Sequence, residues 1–293
     1  MNRHRIRAFS TTVEIAVSDH ILPGQLLDVY DFMDGAEKTF SRFRTNSELS
    51  WLNGQIGKEV IVSNEMYDVL QLAYQYYEET GGIFHPGILT LLEGAGYTQY
   101  IEHREDFSNE TFLYRPYKIS DQPPYQLNAE HHKVTLFTKI DLGGIAKGWI
   151  VDQSVRILGD YGYGFINIGG DIRAFGELPR ALHIGIEDPF NPENVVAPVD
   201  VAFGGVATSS SMKRRWRVGG EWRHHLINPY TGKPTNSTIV SATVLAPTCT
   251  EADIWAKTVL MLGKEKGLAK AKENGQKALL IDINGTIYRE GVI

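Results

Sequence analysis

The chain has 293 residues, of which 42% are hydrophobic and 22% are charged, so it can bury one large core or two smaller ones. Its formal net charge of −6 argues against non-specific nucleic-acid binding, which depends on a broad surface of Lys and Arg. The single cysteine, Cys249, excludes an intramolecular disulfide and any cysteine-rich zinc site.

The N-terminal segment alternates polar and apolar residues over MNRHRIRAFSTTVEIAV. This pattern predicts a strand, because a signal peptide needs a continuous apolar stretch. No run of 18 apolar residues occurs in the sequence, so we expect no membrane insertion. Together these features predict a cytoplasmic protein.

Apolar spacing predicts two helices in the first third of the chain. One covers residues 24–40, and the other begins at Asn64 as its N-cap and stops before Gly81-Gly82. Residues 98–130 are polar and contain prolines, which indicates an irregular insertion. A strand over residues 133–140 follows, and it leads through glycines into an amphipathic helix.

The second half of the chain predicts mainly short strands. Strand-like runs separated by Gly, Pro and Asn turns occur at residues 164–170, 181–187, 198–207 and 238–246. Helices are predicted over 251–262 and 264–273, and Asn284-Gly285 predicts a hairpin. Helices interrupted by runs of strands favour an α+β layered architecture in a single compact unit over a regularly alternating parallel sheet.

The stretch DLGGIAKGWIVD, Asp141 to Asp152, places three glycines and a lysine where a strand becomes a helix. Glycines permit close approach to an anion, a helix start offers unpaired N–H groups, and Lys147 adds a positive charge that a helix start otherwise disfavours. The spacing matches neither the Walker pattern nor the dinucleotide-binding fingerprint. Two interpretations stay open: a phosphate-binding loop, or a tight turn that is capped by Asp141 and whose glycines only permit packing.

In CTEADIWAKTVLMLG, Asp253 and Lys257 are four residues apart and share one face of a helix. They are either a surface ion pair behind a capping box of Thr250 and Asp253, or a site where the carboxylate helps to hold Mg²⁺. Mg²⁺ prefers oxygen ligands and usually shares them with substrate phosphates. The segment by itself does not choose between these interpretations.

The segment HHLINPYTGKP combines turn residues with two consecutive histidines. On a strand, His224 and His225 point to opposite faces, so one of them can be internal. An inward histidine is either a satisfied core group or a base, and no second histidine cluster indicates a metal site.

Two further segments carry aromatic residues. In FSRFRTNSELSWLN, Asn46 or Ser47 can cap a short helix that contains Leu49 and Leu52. In TGGIFHPGIL, an aromatic residue and a histidine follow a glycine pair. Both segments can present aromatic faces to a planar ligand, and both can equally fill a core.

Taken in chain order, these segments resemble the signature blocks of the ApbE family, the FAD:protein FMN transferases. The matching blocks, which span nearly the full length, are FSRFRTNSELSWLN, TGGIFHPGIL, DLGGIAKGWIVD, FINIGGDIRAFG, VATSSSMKRRW, HHLINPYTGKP and EADIWAKTVLMLG. The resemblance implies an α+β fold related to the T-fold. It also implies an enzyme that uses Mg²⁺ to cleave the pyrophosphate of FAD, attaches FMN through its phosphate to a threonine of a target flavoprotein, and releases AMP.

The resemblance further implies roles for individual residues, position by position. Asp253 would supply a carboxylate to Mg²⁺, and the main-chain carbonyl of Gly144 would be another ligand of the ion. His225 is the candidate for proton transfer, so the implied catalytic residues are His225 and Asp253. The residues that match FAD-contacting positions are Phe9, Phe43, Ile83, Phe84, His85, Asp141, Lys147 and Leu226.

The chain departs from the usual family pattern at several positions. The family usually has a threonine four residues after its metal-binding aspartate, where this chain has Lys257, whose ammonium cannot ligate Mg²⁺. His85 and Asn228 each replace an aspartate, and ATSSS replaces a usual Thr-Ser-Gly. Three functions are compatible with the sequence: the transferase, a Mg²⁺-dependent FAD pyrophosphatase in which water replaces the acceptor hydroxyl, and a non-catalytic FAD-binding protein.

Overall fold

The chain folds into helices interspersed with short antiparallel strands, and the computed structural model describes residues 1–99 and 122–291. The helices are α1 (Pro23–Phe40), α2 (Glu48–Asn53), α3 (Asn64–Glu79), α4 (Leu89–Gly94), α5 (Ala146–Leu158), α6 (Cys249–Leu262) and α7 (Lys264–Glu273), with 3₁₀ turns at Pro86–Ile88 and Glu130–His132. The strands are β1 (Asn2–Ala8), β2 (Thr11–Val17), β3 (Glu59–Ile61), β4 (Tyr125–Asn128), β5 (Lys133–Leu136), β6 (Gly164–Ile168), β7 (Asp171–Phe175), β8 (Leu182–Glu187), β9 (Val195–Val201), β10 (Gly204–Ser210), β11 (Arg215–Val218), β12 (Glu221–His224), β13 (Ile227–Asn228), β14 (Lys233–Pro234), β15 (Ile239–Ala246), β16 (Lys277–Asp282) and β17 (Ile287–Glu290).

These elements group into two compact units, of which the first contains residues 1–37, 145–210 and the chain from 237 onward. Its centre is an antiparallel sheet in the order β1-β2-β6-β7-β10-β15-β16-β17. Helix α6 packs against β10, β15 and α5. The hairpin β8-β9 joins β6, β7 and β16 in a separate apolar cluster. Strand β16 is buried at consecutive positions from Ala278 to Asp282, as expected for a strand covered on both faces.

The second unit contains residues 38–144 and 211–236. It has a small sheet in the order β3-β5-β4 and the two hairpins β11-β12 and β13-β14. Trp216 of β11 is fully buried beside Leu91, Leu92 and Ala95. Its indole N–H donates to the main-chain oxygen of Ala95 at 2.8 Å, which satisfies the polar atom of this large buried side chain.

The α+β class is confirmed, and so are the helix over residues 24–40 and the hairpin at Asn284-Gly285, which joins β16 to β17. The cap of α2 is also confirmed, because the Ser47 hydroxyl accepts the Ser50 N–H at 3.0 Å. Every helix within the described ranges is too short or too polar to cross a lipid bilayer.

Other boundaries differ from the predictions. Ser63, not Asn64, is the N-cap of α3, because its hydroxyl accepts the Met66 N–H at 3.2 Å. The single run predicted over 198–207 belongs to two strands, β9 and β10, which are separated by residues 202–203. An irregular insertion is predicted over residues 98–130, of which residues 100–121 lie outside the described residues. The C-terminal part of this segment contains the strand β4. That the whole chain forms one domain stays a prediction.

The turn between β1 and β2 has an unusual backbone. Phe9 and Ser10 form a two-residue turn in which both φ angles are positive, 53° and 56°. Hairpin turns of this kind favour Asn-Gly, and side chains other than glycine cost roughly 1–3 kcal/mol each in such conformations. The fold therefore holds Phe9 in a conformation that its residue type disfavours.

Gly148 lets α5 approach the first turn of α6. A Cβ at Gly148 would lie 2.7 Å from the Cα atom and 2.9 Å from the nitrogen of Thr250. Because these are backbone atoms, they cannot move aside as a flexible side chain does. This glycine of the DLGGIAKGWIVD stretch therefore has a packing role.

Replacing Gly148 with Ala is expected to lower the free energy of unfolding by about 1–3 kcal/mol, because the added methyl group overpacks this contact. Gly35 of α1 is the control, since a Cβ placed there would have no atom of another described segment within 4 Å. Gly35→Ala should raise the free energy of unfolding by about 0.5–1 kcal/mol. Urea unfolding followed by circular dichroism measures both, and equal effects would contradict the packing role.

Candidate functional site

The first turn of α6 is held by a carboxylate from α5. Asp152 Oδ1 accepts the Cys249 N–H at 2.9 Å, while Oδ2 accepts the N–H of Thr250 at 2.9 Å and its hydroxyl at 2.5 Å. Arg173 Nη1 donates to Oδ1 at 2.7 Å and balances the charge. A carboxylate here satisfies N–H groups that have no partner inside the helix and complements the positive end of the helix dipole.

The N-cap of α6 is Thr248, whose hydroxyl accepts the Glu251 N–H at 3.2 Å. The predicted capping box of Thr250 and Asp253 is therefore wrong. Thr250 lies inside the helix, and its hydroxyl is committed to Asp152.

Asp253 lies one turn further along α6 in a buried ion pair. Lys257 Nζ donates to Asp253 Oδ1 at 2.6 Å and to the main-chain oxygen of Asp253 at 2.7 Å. The two side chains are only 8% and 12% exposed, so this is not the surface ion pair that the helical spacing allowed. The second oxygen, Asp253 Oδ2, is buried and has no hydrogen-bond partner in the part of the chain that the structure describes.

Asp253 Oδ2 fits a hard cation such as Mg²⁺. Among the described residues, no group of three or more His, Cys, Asp or Glu side chains is arranged to hold a metal ion. Mg²⁺ does not need such a cage, because one or two carboxylates, water and substrate phosphates usually complete its coordination. A buried carboxylate oxygen without a donor is therefore suited to this ion.

Lys147, in the first turn of α5, forms an ion pair with Asp171 at the start of β7. Asp171 follows the turn Gly169-Gly170, in which both φ angles are positive. The pair offsets a lysine charge that is unfavourable near a helix N-terminus. Asp171 was not among the predicted site residues, although GGD after a strand was a visible signal.

The charged side chains of this region, together with burial, determine the pKa of the Cys249 thiol. Burial raises the pKa of the Cys249 thiol well above its ordinary value, and the carboxylates of Asp152 and Asp253 raise it further, against Lys147 and Arg173. The thiol is therefore neutral at physiological pH and is not a nucleophile.

In the second unit, Phe43 and Asp141 meet at Arg42. The Arg42 Nε atom lies 2.9 Å from Asp141 Oδ2, and its Nη1 donates to the main-chain oxygen of Tyr97 at 2.9 Å. The guanidinium carbon lies 4.1 Å from the centre of the Phe43 ring and 4.4 Å from that of Tyr97. Its Nη2 is buried without a hydrogen bond to any described residue. Arg42 was not among the predicted site residues either, although an arginine beside an aromatic residue was visible in FSRF.

Asp141 also shapes the glycine turn, as the capping interpretation predicts. Its Oδ1 accepts the Gly143 N–H at 3.0 Å, and its own N–H donates to the main-chain oxygen of Pro86 at 2.8 Å. The side-chain amide of Asn53 pairs with both backbone groups of Ile140, at 2.9 and 2.8 Å. The segments around Asn53 and Pro86 thus hold the entrance to this turn.

The two consecutive histidines differ in their contacts. His224 Nδ1 accepts the Leu226 N–H at 3.3 Å, and its Nε2 lies 3.1 Å from the main-chain oxygen of Thr235. Burial lowers the pKa of His224, which makes it a neutral structural histidine. His225 is half-buried, and its ring meets the Tyr97 ring edge-on with centroids 6.5 Å apart.

His85 is a buried neutral histidine between the buried Phe84 and the 3₁₀ turn. Its Nδ1 accepts the Gly87 N–H at 3.0 Å, so the ring proton is on Nε2. Nε2 is buried and has no partner within residues 1–99 and 122–291. Burial lowers the pKa of His85 from 6.5 to about 4.

The structure distributes the predicted site residues over both units. Phe9, Lys147 and Asp253 belong to the first unit. The second unit contains Phe43, Ile83, Phe84, His85, Asp141, Gly144, His225 and Leu226. Contacts with Arg42 and Tyr97 connect Phe43, Asp141 and His225. The binding and catalytic roles of all these residues stay predictions.

Comparison with known proteins identifies the family, because residues 9–280 match the model of the ApbE family. The chain belongs to the ApbE family. A protein from Treponema pallidum (strain Nichols) named FAD:protein FMN transferase is 29% identical over 276 residues, which are 87% of this chain and 76% of that protein. A protein of the same name from Escherichia coli (strain K12) is 30% identical over 155 residues, which are 51% of this chain and 44% of that protein.

A solved ApbE structure has the same fold. The crystal structure of an ApbE protein from Thermotoga maritima matches with a TM-score of 0.87 at 28% sequence identity. The match covers 99% of this chain and 96% of that chain. The family resemblance of the sequence blocks and the α+β fold are therefore both confirmed.

Removing the charge of Asp152 is expected to lower the free energy of unfolding by about 3–5 kcal/mol, because Arg173 loses its buried counter-ion. Asp152→Asn also replaces an oxygen acceptor by a donor that faces N–H groups. Asp160→Asn, at an exposed position after α5, is the matched control and should have little effect. Chemical unfolding measures both variants, and a loss below about 1 kcal/mol at Asp152 would contradict its holding role.

His85 is expected to make stability depend on pH, because its pKa is lower in the folded state, about 4, than its ordinary value of 6.5. The unfolded chain therefore binds more protons, and stability is lost as the pH falls from about 6.5 to 4. His85→Asn keeps an acceptor for the Gly87 N–H but does not titrate. Wild type should lose about 3 kcal/mol relative to this variant between pH 7 and pH 4, and parallel unfolding curves against pH would disprove the assignment.

Proposed function

We propose that this protein is a Mg²⁺-dependent FAD:protein FMN transferase that attaches FMN through a phosphoester to a threonine of an acceptor flavoprotein and releases AMP. The observation that carries the proposal is the family match over residues 9–280, together with relatives named for this activity. Asp253 Oδ2, which is buried and accepts no hydrogen bond from any described residue, supports the metal requirement.

The phosphate-binding part of the proposal rests on Asp253, Gly144 and Lys147. Asp253 Oδ2 and the Gly144 carbonyl would hold Mg²⁺, which when bound neutralises charge on the diphosphate. Lys147 adds a positive charge at the start of α5, where N–H groups also favour an anion. Its ion pair with Asp171 supports this role by limiting the positions of its ammonium group.

The flavin ring of FAD would contact the side chains of Phe9, Phe43, Ile83 and Phe84. Aromatic side chains suit a planar heterocycle because their faces stack at little conformational cost. The ring of Phe43 is half-buried and lies against the Arg42 guanidinium, which supports a fixed platform. His85, Asp141 and Leu226 are the remaining proposed FAD contacts.

His225 is the proposed base. It would accept the proton of the acceptor threonine while the hydroxyl oxygen bonds to the FMN phosphorus and the bond from that phosphorus to the AMP oxygen breaks. Both ring nitrogens of His224 are engaged in the turn, so His224 is not the proposed base. His225 Nδ1 lies 3.4 Å from the main-chain oxygen of Arg214, a contact that would orient the ring of the proposed base. The nucleophile belongs to the acceptor protein, which agrees with the neutral state of Cys249.

Incubation with FAD, Mg²⁺ and a flavoprotein acceptor domain is expected to give covalent flavin fluorescence on the acceptor. Replacing the target threonine with alanine should abolish the label. Asp253→Asn should reduce the labelling rate by roughly two orders of magnitude or more, because a metal ion contributes several kcal/mol to transition-state stabilisation. Fluorescence of the acceptor band after denaturing electrophoresis measures the label.

Three other outcomes would reject the transferase. Free FMN without labelled acceptor indicates the FAD pyrophosphatase, and bound FAD without either product indicates a binding protein. Absence of FAD binding would contradict the transferase, the pyrophosphatase and the FAD-binding protein alike.

A further inference from the structure

The two carboxylate oxygens of Asp253 have different environments. Oδ1 accepts a hydrogen bond from Lys257 Nζ at 2.6 Å, and the same ammonium donates to the main-chain oxygen of Asp253 at 2.7 Å. Oδ2 is buried and has no hydrogen bond to a described residue. The carboxylate is thus fixed at one oxygen, and its other oxygen can take a ligand.

The other buried carboxylates around the start of α6 also face cations. Asp152 pairs with Arg173, and Asp171 pairs with Lys147. With the pair of Asp253 and Lys257, three negative charges face three positive charges. This set of ion pairs has no net charge, so it attracts a free divalent cation only weakly.

An ammonium on Oδ1 has two consequences for a metal ion at Asp253. It prevents the carboxylate from binding the ion through both oxygens. It also places a positive charge on the same carboxylate that would bind the ion. Like charges this close together in a buried site repel strongly. Each effect lowers metal affinity, whereas the ion pair keeps the carboxylate in place.

We propose that Lys257 is a positioning residue that acts as a built-in cation on Asp253. It fixes the carboxylate, leaves Oδ2 as the carboxylate oxygen that can bind a divalent ion, and keeps the affinity for free metal low. The ion then depends on substrate phosphates for most of the negative charge that neutralises it. This inference rests on the metal-binding role of Asp253 in the proposed function.

The test measures Mn²⁺ binding to the whole protein by electron paramagnetic resonance, without FAD or acceptor. Lys257→Met is expected to bind Mn²⁺ at least about tenfold more tightly than wild type, because the competing ammonium is gone. Lys270→Met is the matched control and should bind Mn²⁺ as wild type does, since Lys270 forms an ion pair with the exposed Glu273 on α7. In an Asp253→Asn background, Lys257→Met should have no effect.

A second variant keeps the test decisive if Lys257→Met does not fold. Lys257→Gln retains a hydrogen-bond donor toward Asp253 but has no charge, and it should also bind Mn²⁺ more tightly than wild type. Loss of structure lowers metal binding, so a gain in affinity cannot come from misfolding. Unchanged or weaker Mn²⁺ binding in the folded variants would overturn the inference, as would a gain that persists in Asp253→Asn.

The same measurements separate this inference from the proposed function. If wild type labels an acceptor domain but the Lys257 variants bind Mn²⁺ no more tightly, the transferase stands and the role of Lys257 falls. If the variants gain affinity but no acceptor is labelled, the role of Lys257 as a cation on Asp253 stands and the transferase falls.

Discussion

The hydrogen bonds from the first turn of α6 to Asp152 are the constraint on which this region depends. They connect the start of α6 to the side of α5, and Arg173 neutralises the buried charge of Asp152. Gly148 on α5 and Gly205 on β10 lack the side chains that would collide with this turn. Since Asp253 and Lys257 follow on the same helix, the position of the candidate metal ligand is set by residues to which the proposed function assigns no ligand contact.

Local features were predictable because their signals lie within a few residues. The apolar spacing of α1, the Ser47 cap and the Asn284-Gly285 turn each depend on neighbours in sequence. The errors at caps have the same origin. Adjacent residues such as Ser63 and Asn64 are both good caps, and the choice between them depends on contacts with residues distant in sequence. The Ser63 hydroxyl donates to Glu48 Oε2 at 2.6 Å while it accepts the Met66 N–H. Asn64 Oδ1 contacts His132 Nδ1 at 2.8 Å, a residue far along the chain.

The candidate site was predictable as a set of motifs but not as a set of contacts. Helical spacing placed Lys257 beside Asp253, but it carried no information on burial, which depends on what packs over that face. The partners of Lys147 and Asp152 could not be predicted, because Asp171, Arg173 and Thr250 come from other elements of the sheet and helix layers. Arg42 was overlooked for the same reason, since its role depends on contacts with Asp141 and Tyr97.

The tip of the first hairpin bears on how this chain should be engineered. Redesign guided by melting temperature would choose Asn-Gly in place of Phe9-Ser10, because those residues accept the left-handed backbone. Such a change would stabilise the hairpin turn but would delete an aromatic ring that we propose contacts the substrate. A gain in robustness at this position would therefore be a poor guide to retained function, and variants of the hairpin need selection on ligand binding as well as on heat resistance.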